Sequence, residues 1–175
     1  MHFDLKDRIR SVPDFPKKGI VFRDITTLVK DKEAFGRAID VFYERYKGQR
    51  IDKIVSVESR GFIFGSALAQ KLGAGFVPIR KPGKLPAETI REEYQLEYGK
   101  DAVEIHKDAI SPGERILVHD DLLATGGTVS AACRLVERLG GKITSLCFLI
   151  ELTFLHGREP LKDYDIFSII KYDAE

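Results

Sequence analysis

An α/β fold, a mainly parallel twisted sheet flanked by helices, is predicted by three observations. Apolar runs of strand character at 54–57, 76–79, 115–119, 143–152 and 166–170 alternate with segments of helical spacing. The run 143–152 is apolar almost throughout, as in a strand covered on both faces. Glycines close the helical segments at Gly48, Gly73 and Gly140-Gly141. Strand–helix–strand alternation implies parallel pairing through right-handed crossovers. The chain has 175 residues without internal repeat, low-complexity tract or linker, so the sequence predicts one domain.

Each element follows from local chemistry. Residues 5–12 are a short amphipathic stretch, and Pro13 and Pro16 then enforce extended backbone. Residues 20–22 are brief and apolar. From Asp31 as N-cap, Phe35, Ala38, Ile39, Phe42, Tyr43 and Tyr46 recur at helical spacing. Residues 62–72 read as a second helix. Between strands 76–79 and 115–119 lies a long, charged stretch, 80–102, punctuated by Pro82, Gly83, Pro86 and Gly99, with a short hairpin predicted around 94–98 and 103–105. A third helix spans 128–139, burying Val129, Ala132, Cys133, Val136 and Leu139.

Composition narrows the function classes. With 28 basic and 27 acidic residues the net charge is +1, so nothing global draws the chain to nucleic acid or membrane. Cys133 and Cys147 stand alone on apolar segments and read as reduced core residues. The first residues, Met1 to Lys6, carry no signal-peptide pattern, and no apolar run is long enough to span a bilayer, so the cytoplasm is the expected location.

The most informative stretch begins where Ile116-Leu117-Val118 delivers His119 and the paired acids Asp120-Asp121. Leu122-Leu123-Ala124-Thr125-Gly126-Gly127-Thr128 follows, and then a helix. A strand, two carboxylates at its carboxyl end and a glycine turn opening onto a helix N-terminus make an anion site. Ala124 to Thr128 supply free amides and two threonine hydroxyls. Acids beside a phosphate cradle serve as hydrogen-bond acceptors for sugar hydroxyls or help to place a magnesium ion. No lysine follows the glycines, which excludes the nucleoside-triphosphate loop. The predicted ligand is a sugar with one terminal phosphate.

Glu58-Ser59-Arg60-Gly61 repeats that layout with a cation, either as a second anion site or as an arginine paired to a neighbouring carboxylate. Arg80, Lys81 and Lys84 add positive charge, as solvated surface or as contacts to a polyphosphate. Tyr94, Glu97 and Tyr98 lie on the long loop, which is either a lid or an ordinary hairpin. Phe22 offers a stacking face to a planar base or a core aromatic. His2, His106, His119 and His156 lack metal or triad spacing, and His119 reads as structural.

These strings resemble the adenine phosphoribosyltransferases, a branch of the type I phosphoribosyltransferases. The resemblance runs through Ile9-Arg10-Ser11-Val12-Pro13-Asp14-Phe15-Pro16, Gly19 to Thr26, Glu58 to Phe62, Arg80 to Pro86, Glu97-Tyr98-Gly99-Lys100 and Asp120 to Thr128. The last string marks the superfamily; the first and the Glu97 string mark the adenine branch. It implies the type I phosphoribosyltransferase fold, with a small hood built mainly from the N-terminal segment and a flexible lid loop at about 80–104. It implies a homodimer, and a reaction in which adenine and 5-phosphoribosyl 1-diphosphate give AMP and diphosphate with Mg2+, the ion being held by substrate and water without direct protein ligands.

By position, Ala124, Thr125, Gly126, Gly127 and Thr128 would hold the 5-phosphate, and Asp120 and Asp121 the ribose hydroxyls. Glu58, Ser59, Arg60, Arg80, Lys81 and Lys84 would form the diphosphate site, with the option of Arg80 being donated across a dimer. Phe22 and Leu122 would sandwich adenine, backbone groups of Val21 and Arg23 would read its edge, and Leu152 would line the pocket. Glu97 would be the acid–base residue, and Tyr98 would help to close the lid. Glu58 stands where many members carry Asp, and His119 where they often carry an apolar residue. Two other functions use the same cradle: transfer to hypoxanthine, guanine, xanthine or a pyrimidine, and a non-catalytic sugar-phosphate-sensing regulator. The second usually adds a DNA-binding module, for which this chain has neither spare length nor excess charge.

Overall fold

A computed structural model describes residues 4–96 and 99–175. In chain order the elements are β1 (Arg10–Val12), β2 (Phe22–Asp24), α1 (Thr26–Val29), α2 (Lys32–Tyr46), β3 (Lys53–Val57), α3 (Gly61–Leu72), β4 (Gly75–Ile79), β5 (Thr89–Leu96) and β6 (Gly99–His106). They continue as β7 (Arg115–Leu123), α4 (Gly127–Arg138), β8 (Lys142–Leu152) and β9 (Ile166–Tyr172), with 3-10 turns at Leu5–Arg8, Thr153–Leu155 and Glu159–Leu161.

Among the described residues, five strands form the central sheet in the order β4-β3-β7-β8-β9, every pair parallel. The crossover after β3 runs through α3 to β4, and the one after β7 runs through α4 to β8, so they leave the central pair in opposite directions. That reversal opens a crevice at the carboxyl ends of β3 and β7, the place where such sheets bind ligands. Strand alternation sends Val55, Ile116 and Val118 to one face, under α4 and the β5–β6 hairpin. It sends Ile54, Leu117 and Cys147 to the other, under α2 and α3. Asp31 caps α2 by accepting from the Glu33 and Ala34 amides at 3.0 and 3.1 Å. Outside the sheet, β1 and β2 pair as a small antiparallel ribbon.

After the brief apolar stretch at 20–22, a short strand lies at Phe22–Asp24, where it pairs with β1. Two expectations are corrected. The strand predicted to stop at His119 continues to Leu123, because Asp120 and Leu122 keep pairing with Phe148 and Ile150 of β8. The long loop is mostly sheet: β5 and β6 pair over eight residues each, and Tyr94, Val103 and Ile105 are buried on the α4 side. The predicted positions Glu97 and Tyr98, like Met1, His2 and Phe3, lie outside the described residues. Cys133 and Cys147 are free and buried, as predicted.

His119 is structural. It is fully buried, with ring centroids 5.3 Å from Phe42 and 6.4 Å from Phe64 and Nδ1 3.3 Å from Cys147 Sγ. Burial pushes its pKa from 6.5 down to about 3. Above pH 6.5 the folded and unfolded chains both keep it neutral; below that the unfolded chain takes up a proton that the folded one refuses. Stability therefore falls between pH 6.5 and about 3, by up to about 1.4 kcal/mol per pH unit. Urea unfolding at a series of pH values will show this slope in the wild type and a shallower one in His119→Leu; equal slopes would refute it.

Candidate functional site

At the crevice, β7 delivers Asp120 and Asp121, residues 124–126 turn, and α4 begins at Gly127. The turn and its flanks enclose a cavity of about 80 Å³ lined by Asp120, Leu122, Leu123 and residues 124–129. That is the bulk of two or three waters, enough for one phosphoryl group and too little for a nucleoside. No side-chain cap occupies the first amides of α4, so they face the cavity's contents with their donors open.

The two glycines are not equivalent. Gly126 holds φ at 83°, and a Cβ there would be driven into the Gly157 carbonyl and lie 2.9 Å from Pro160 Cγ. A Cβ on Gly127 would make ordinary contacts, 3.5 Å from Gln95 O and from Tyr94 Cδ2. Gly157 is the reciprocal partner: a Cβ on it would meet the Ala124 carbonyl. The turn carrying Gly157 is tied to β8 by a two-pronged ion pair, Arg158 Nε and Nη2 to the Glu151 carboxylate at 2.6 and 2.7 Å. Sequence reading missed Gly157, Arg158 and Glu151; a glycine at the end of a short 3-10 turn is too weak a signal.

The paired acids have an asymmetric environment. Arg60, at the N-cap of α3, places Nε 2.9 Å from Asp121 Oδ2, an ion pair off the hydrogen-bond axis, and the Asp121 side chain is 6% exposed. Burial raises the Asp121 carboxyl, with Arg60 opposing the rise. Burial, and then the charge on Asp121, push the Asp120 carboxyl well above the usual carboxylate range. Two unlike carboxyls suit hydroxyl groups that must be accepted from and donated to. Arg60 is thus paired to a neighbouring carboxylate, one of its two predicted readings, and lies in the crevice.

From Arg60 the cluster continues to the N-terminal ribbon. Its guanidinium lies 4.9 Å from the centroid of the Phe22 ring, and its Nη1 donates to the Arg23 carbonyl at 3.4 Å. Phe22 is half-buried, edge-on to Phe15 at 5.1 Å, and so is not a core aromatic. Leu122 and Leu152 both pack against the α2–α3 face of the core. The Glu58–Ser59 peptide is cis.

The cation loop is already supplied with acids. Arg80 donates to Glu58 Oε2 through Nε and Nη2 at 3.3 and 3.1 Å, and the Lys81 amide donates to Glu58 Oε1. Burial alone would raise the Glu58 carboxyl, but the Lys81 amide and Arg80 outweigh it and hold it below its usual range. Lys81 Nζ is paired with Asp101 and lies 3.1 Å from the Tyr94 hydroxyl. Lys84 is exposed, and its carbonyl accepts from Arg80 Nη1 at 3.3 Å. Asp101 was not among the predicted residues. The hairpin docks on α4 through Glu92, which receives Arg134 at 2.6 Å and Arg138 at 3.1 Å. Between hairpin and helix lies a second cavity of about 530 Å³, whose walls include Tyr94, Gln95, Lys100, Thr125 and Arg134. Among the described residues no group of three or more His, Cys, Asp or Glu is arranged to hold a metal.

Comparison with known proteins fits this geometry. Residues 26–174 match the phosphoribosyl transferase domain family. An adenine phosphoribosyltransferase of Chloroflexus aurantiacus is 59% identical over 169 residues, covering 97% of this chain and 98% of its own length. The crystal structure of the Thermoanaerobacter pseudethanolicus adenine phosphoribosyltransferase superposes with a TM-score of 0.94 at 56% identity, covering 96% of this chain and 98% of that one. That of the Saccharomyces cerevisiae enzyme, complexed with an imino-altritol bisphosphate and adenine, gives 0.90 at 43% identity over 94% and 96% of the two chains.

The unequal glycines make a direct test. Gly126→Ala, with its left-handed backbone and blocked Cβ, is expected to cost at least about 2 kcal/mol of stability, and Gly127→Ala less than about 1 kcal/mol. Urea unfolding of both variants measures the difference, and similar losses would contradict the assigned turn geometry.

Proposed function

The chain belongs to the phosphoribosyltransferases, in their adenine phosphoribosyltransferase branch, and on that footing we propose how its own residues carry the reaction. The enzyme transfers the 5-phosphoribosyl group from 5-phosphoribosyl 1-diphosphate to adenine, releasing AMP and diphosphate. The observation that carries the assignment of roles is the open α4 amide cradle set beside Asp120 and Asp121 at the sheet's switch point.

In this reading, Ala124 to Thr128 hold the 5-phosphate on backbone amides and threonine hydroxyls. Asp120 and Asp121 take the ribose hydroxyls and lie near the anomeric carbon, where positive charge grows as the leaving group departs. Arg60, Ser59, Arg80, Lys81 and Lys84 receive the diphosphate, with Glu58 holding the Arg80–Lys81 segment in place. Phe22 and Leu122 flank adenine, Val21 and Arg23 present backbone groups to its edge, and Leu152 closes the pocket. Glu97 takes the proton that the attacking purine nitrogen sheds. Tyr98 and the hairpin of the 80–104 segment exclude water, which otherwise competes for the activated sugar.

Magnesium belongs to this reading as well. A hard ion that keeps much of its water fits a place where substrate phosphates and water hold it, without direct ligands from Asp120 or Asp121. Held there by substrate and water, it would supply charge neutralisation on the departing diphosphate. The whole chain acts as one domain, with β1 and β2 as the hood, in a cytoplasmic homodimer. Among the described residues no helix is long and apolar enough to cross a membrane.

Two measurements test the assignment. Incubation with 5-phosphoribosyl 1-diphosphate and each of adenine, hypoxanthine, guanine and xanthine, followed by ultraviolet absorbance, is expected to show turnover with adenine at least about a hundredfold above the others, as hydrogen-bond readout of a base edge provides. Glu97→Gln is expected to lower kcat by about a hundredfold or more while changing adenine KM little. Wild-type kcat in that variant would remove Glu97 from the chemistry.

A further inference from the structure

The base-reading ribbon is fastened to the far end of the sheet through one aromatic ring. Tyr172, the last residue of β9, has two cations over its ring, with Arg23 Cζ 4.0 Å and Lys6 Nζ 4.5 Å from its centroid. Arg23 is only 9% exposed, and it reaches this position across β1, donating through Nη1 to Ser11 Oγ at 2.5 Å and through Nη2 to the Ala174 carbonyl at 3.4 Å. Its Nε is buried among the described residues with no hydrogen-bond partner, so the ring face is a main source of compensation for that charge. Lys6 Nζ also donates to the Lys171 carbonyl at 2.8 Å.

The backbone of Tyr172 reaches the opposite wall of the site. It sits in register with Leu152 of β8, and its carbonyl accepts from Thr153 Oγ1 at 3.1 Å. Leu152 and Tyr172 pack against the same apolar cluster. Tyr172 therefore joins the ribbon that carries Val21, Phe22 and Arg23 to the strand end that carries Leu152.

We infer that Tyr172 is a positioning residue for adenine: held by Arg23 and Lys6, it sets the distance between the base-reading backbone and the Leu152 wall. The inference rests on the proposed base site and deepens it, since the sugar-phosphate cradle lies on the opposite face of the sheet, under α4. Loosening the clasp releases the ribbon while the cradle, Arg60 and the acids keep their places. The consequence is selective for one substrate.

Steady-state kinetics on the full chain test this. Tyr172→Leu is expected to raise the KM for adenine about tenfold, about 1.4 kcal/mol, the scale of a partly desolvated cation–π contact. The KM for 5-phosphoribosyl 1-diphosphate and kcat should stay within about twofold. Tyr172→Phe, which keeps the ring for both cations, should restore wild-type constants. Arg23→Met, which removes the guanidinium and keeps the backbone, should reproduce the adenine effect, and it serves equally if Tyr172→Leu fails to fold. An unchanged adenine KM in the folded variants, equal rises in both KM values, or no rescue by Phe would overturn the inference. Phe22→Ala separates the two layers: if it also leaves adenine KM unchanged, the base site itself is misassigned, and if it alone raises adenine KM, only the role of Tyr172 falls.

Discussion

The site depends on a backbone contact between two turns. Residues 124–126 can curl away from β7 only because Gly126 adopts a left-handed conformation and because Gly157 comes up against the Ala124 carbonyl without a side chain between them. A side chain at either glycine would force the turns apart and close the space that the α4 amides face. The Arg158–Glu151 pair holds the second turn from behind. Helix dipole and free amides are common to every helix start; what makes this one a cradle is the shape that two glycines permit.

The same crevice solves an electrostatic problem. A site for a polyanion needs cations, yet unpaired cations at a sheet edge repel one another. Here each of three is matched to an acid: Arg60 to Asp121, Arg80 to Glu58 and Lys81 to Asp101. The pairs differ in how readily they exchange. The Lys81 side chain is 44% exposed and that of Asp101 30%, and such a pair is worth at most about 1 kcal/mol, so an arriving phosphate can replace the carboxylate. Asp121 is almost wholly buried, and removing its partner would leave an uncompensated charge costing about 3–5 kcal/mol. Arg60 thus stays with Asp121 while Lys81 is available for exchange.

Much of the fold could be read from the chain, for identifiable reasons. Helices α2, α3 and α4 carry strong periodicity, a capping Asp31 or a closing glycine, and their predicted ends fall within a residue or two of the observed ones. The core strands are continuous apolar runs. The length of the hairpin was misjudged because charges fall on both of its faces: Arg91 and Glu93 on one, and Glu92 beside the buried Tyr94 on the α4 side. The extent of β7 was misjudged because Asp120 and Asp121 look like a strand end, although their backbone keeps pairing with β8. The glycine turn between β7 and α4 and the turn carrying Arg60 were legible as local strings. Asp101 and Gly157 were not, since each acts on a residue distant in sequence, and Glu151, though near Arg158 in the chain, has no local pattern of its own.

The sheet divides the work between its faces, and this explains why so few residues must cross it. The proposed phosphate cradle lies where α4 begins, over the cluster containing Val118, Phe148 and Val129. The apolar walls formed by Leu122 and Leu152 belong to the opposite cluster, with Phe64 and Cys147. Between them, Asp121 and Arg60 form a short bridge, and Arg60 then touches both Phe22 and the Arg23 carbonyl. The two clusters share no apolar member, so the halves of the site are packed against separate sets of side chains. Coupling between them must pass through the bridge or around the sheet's end.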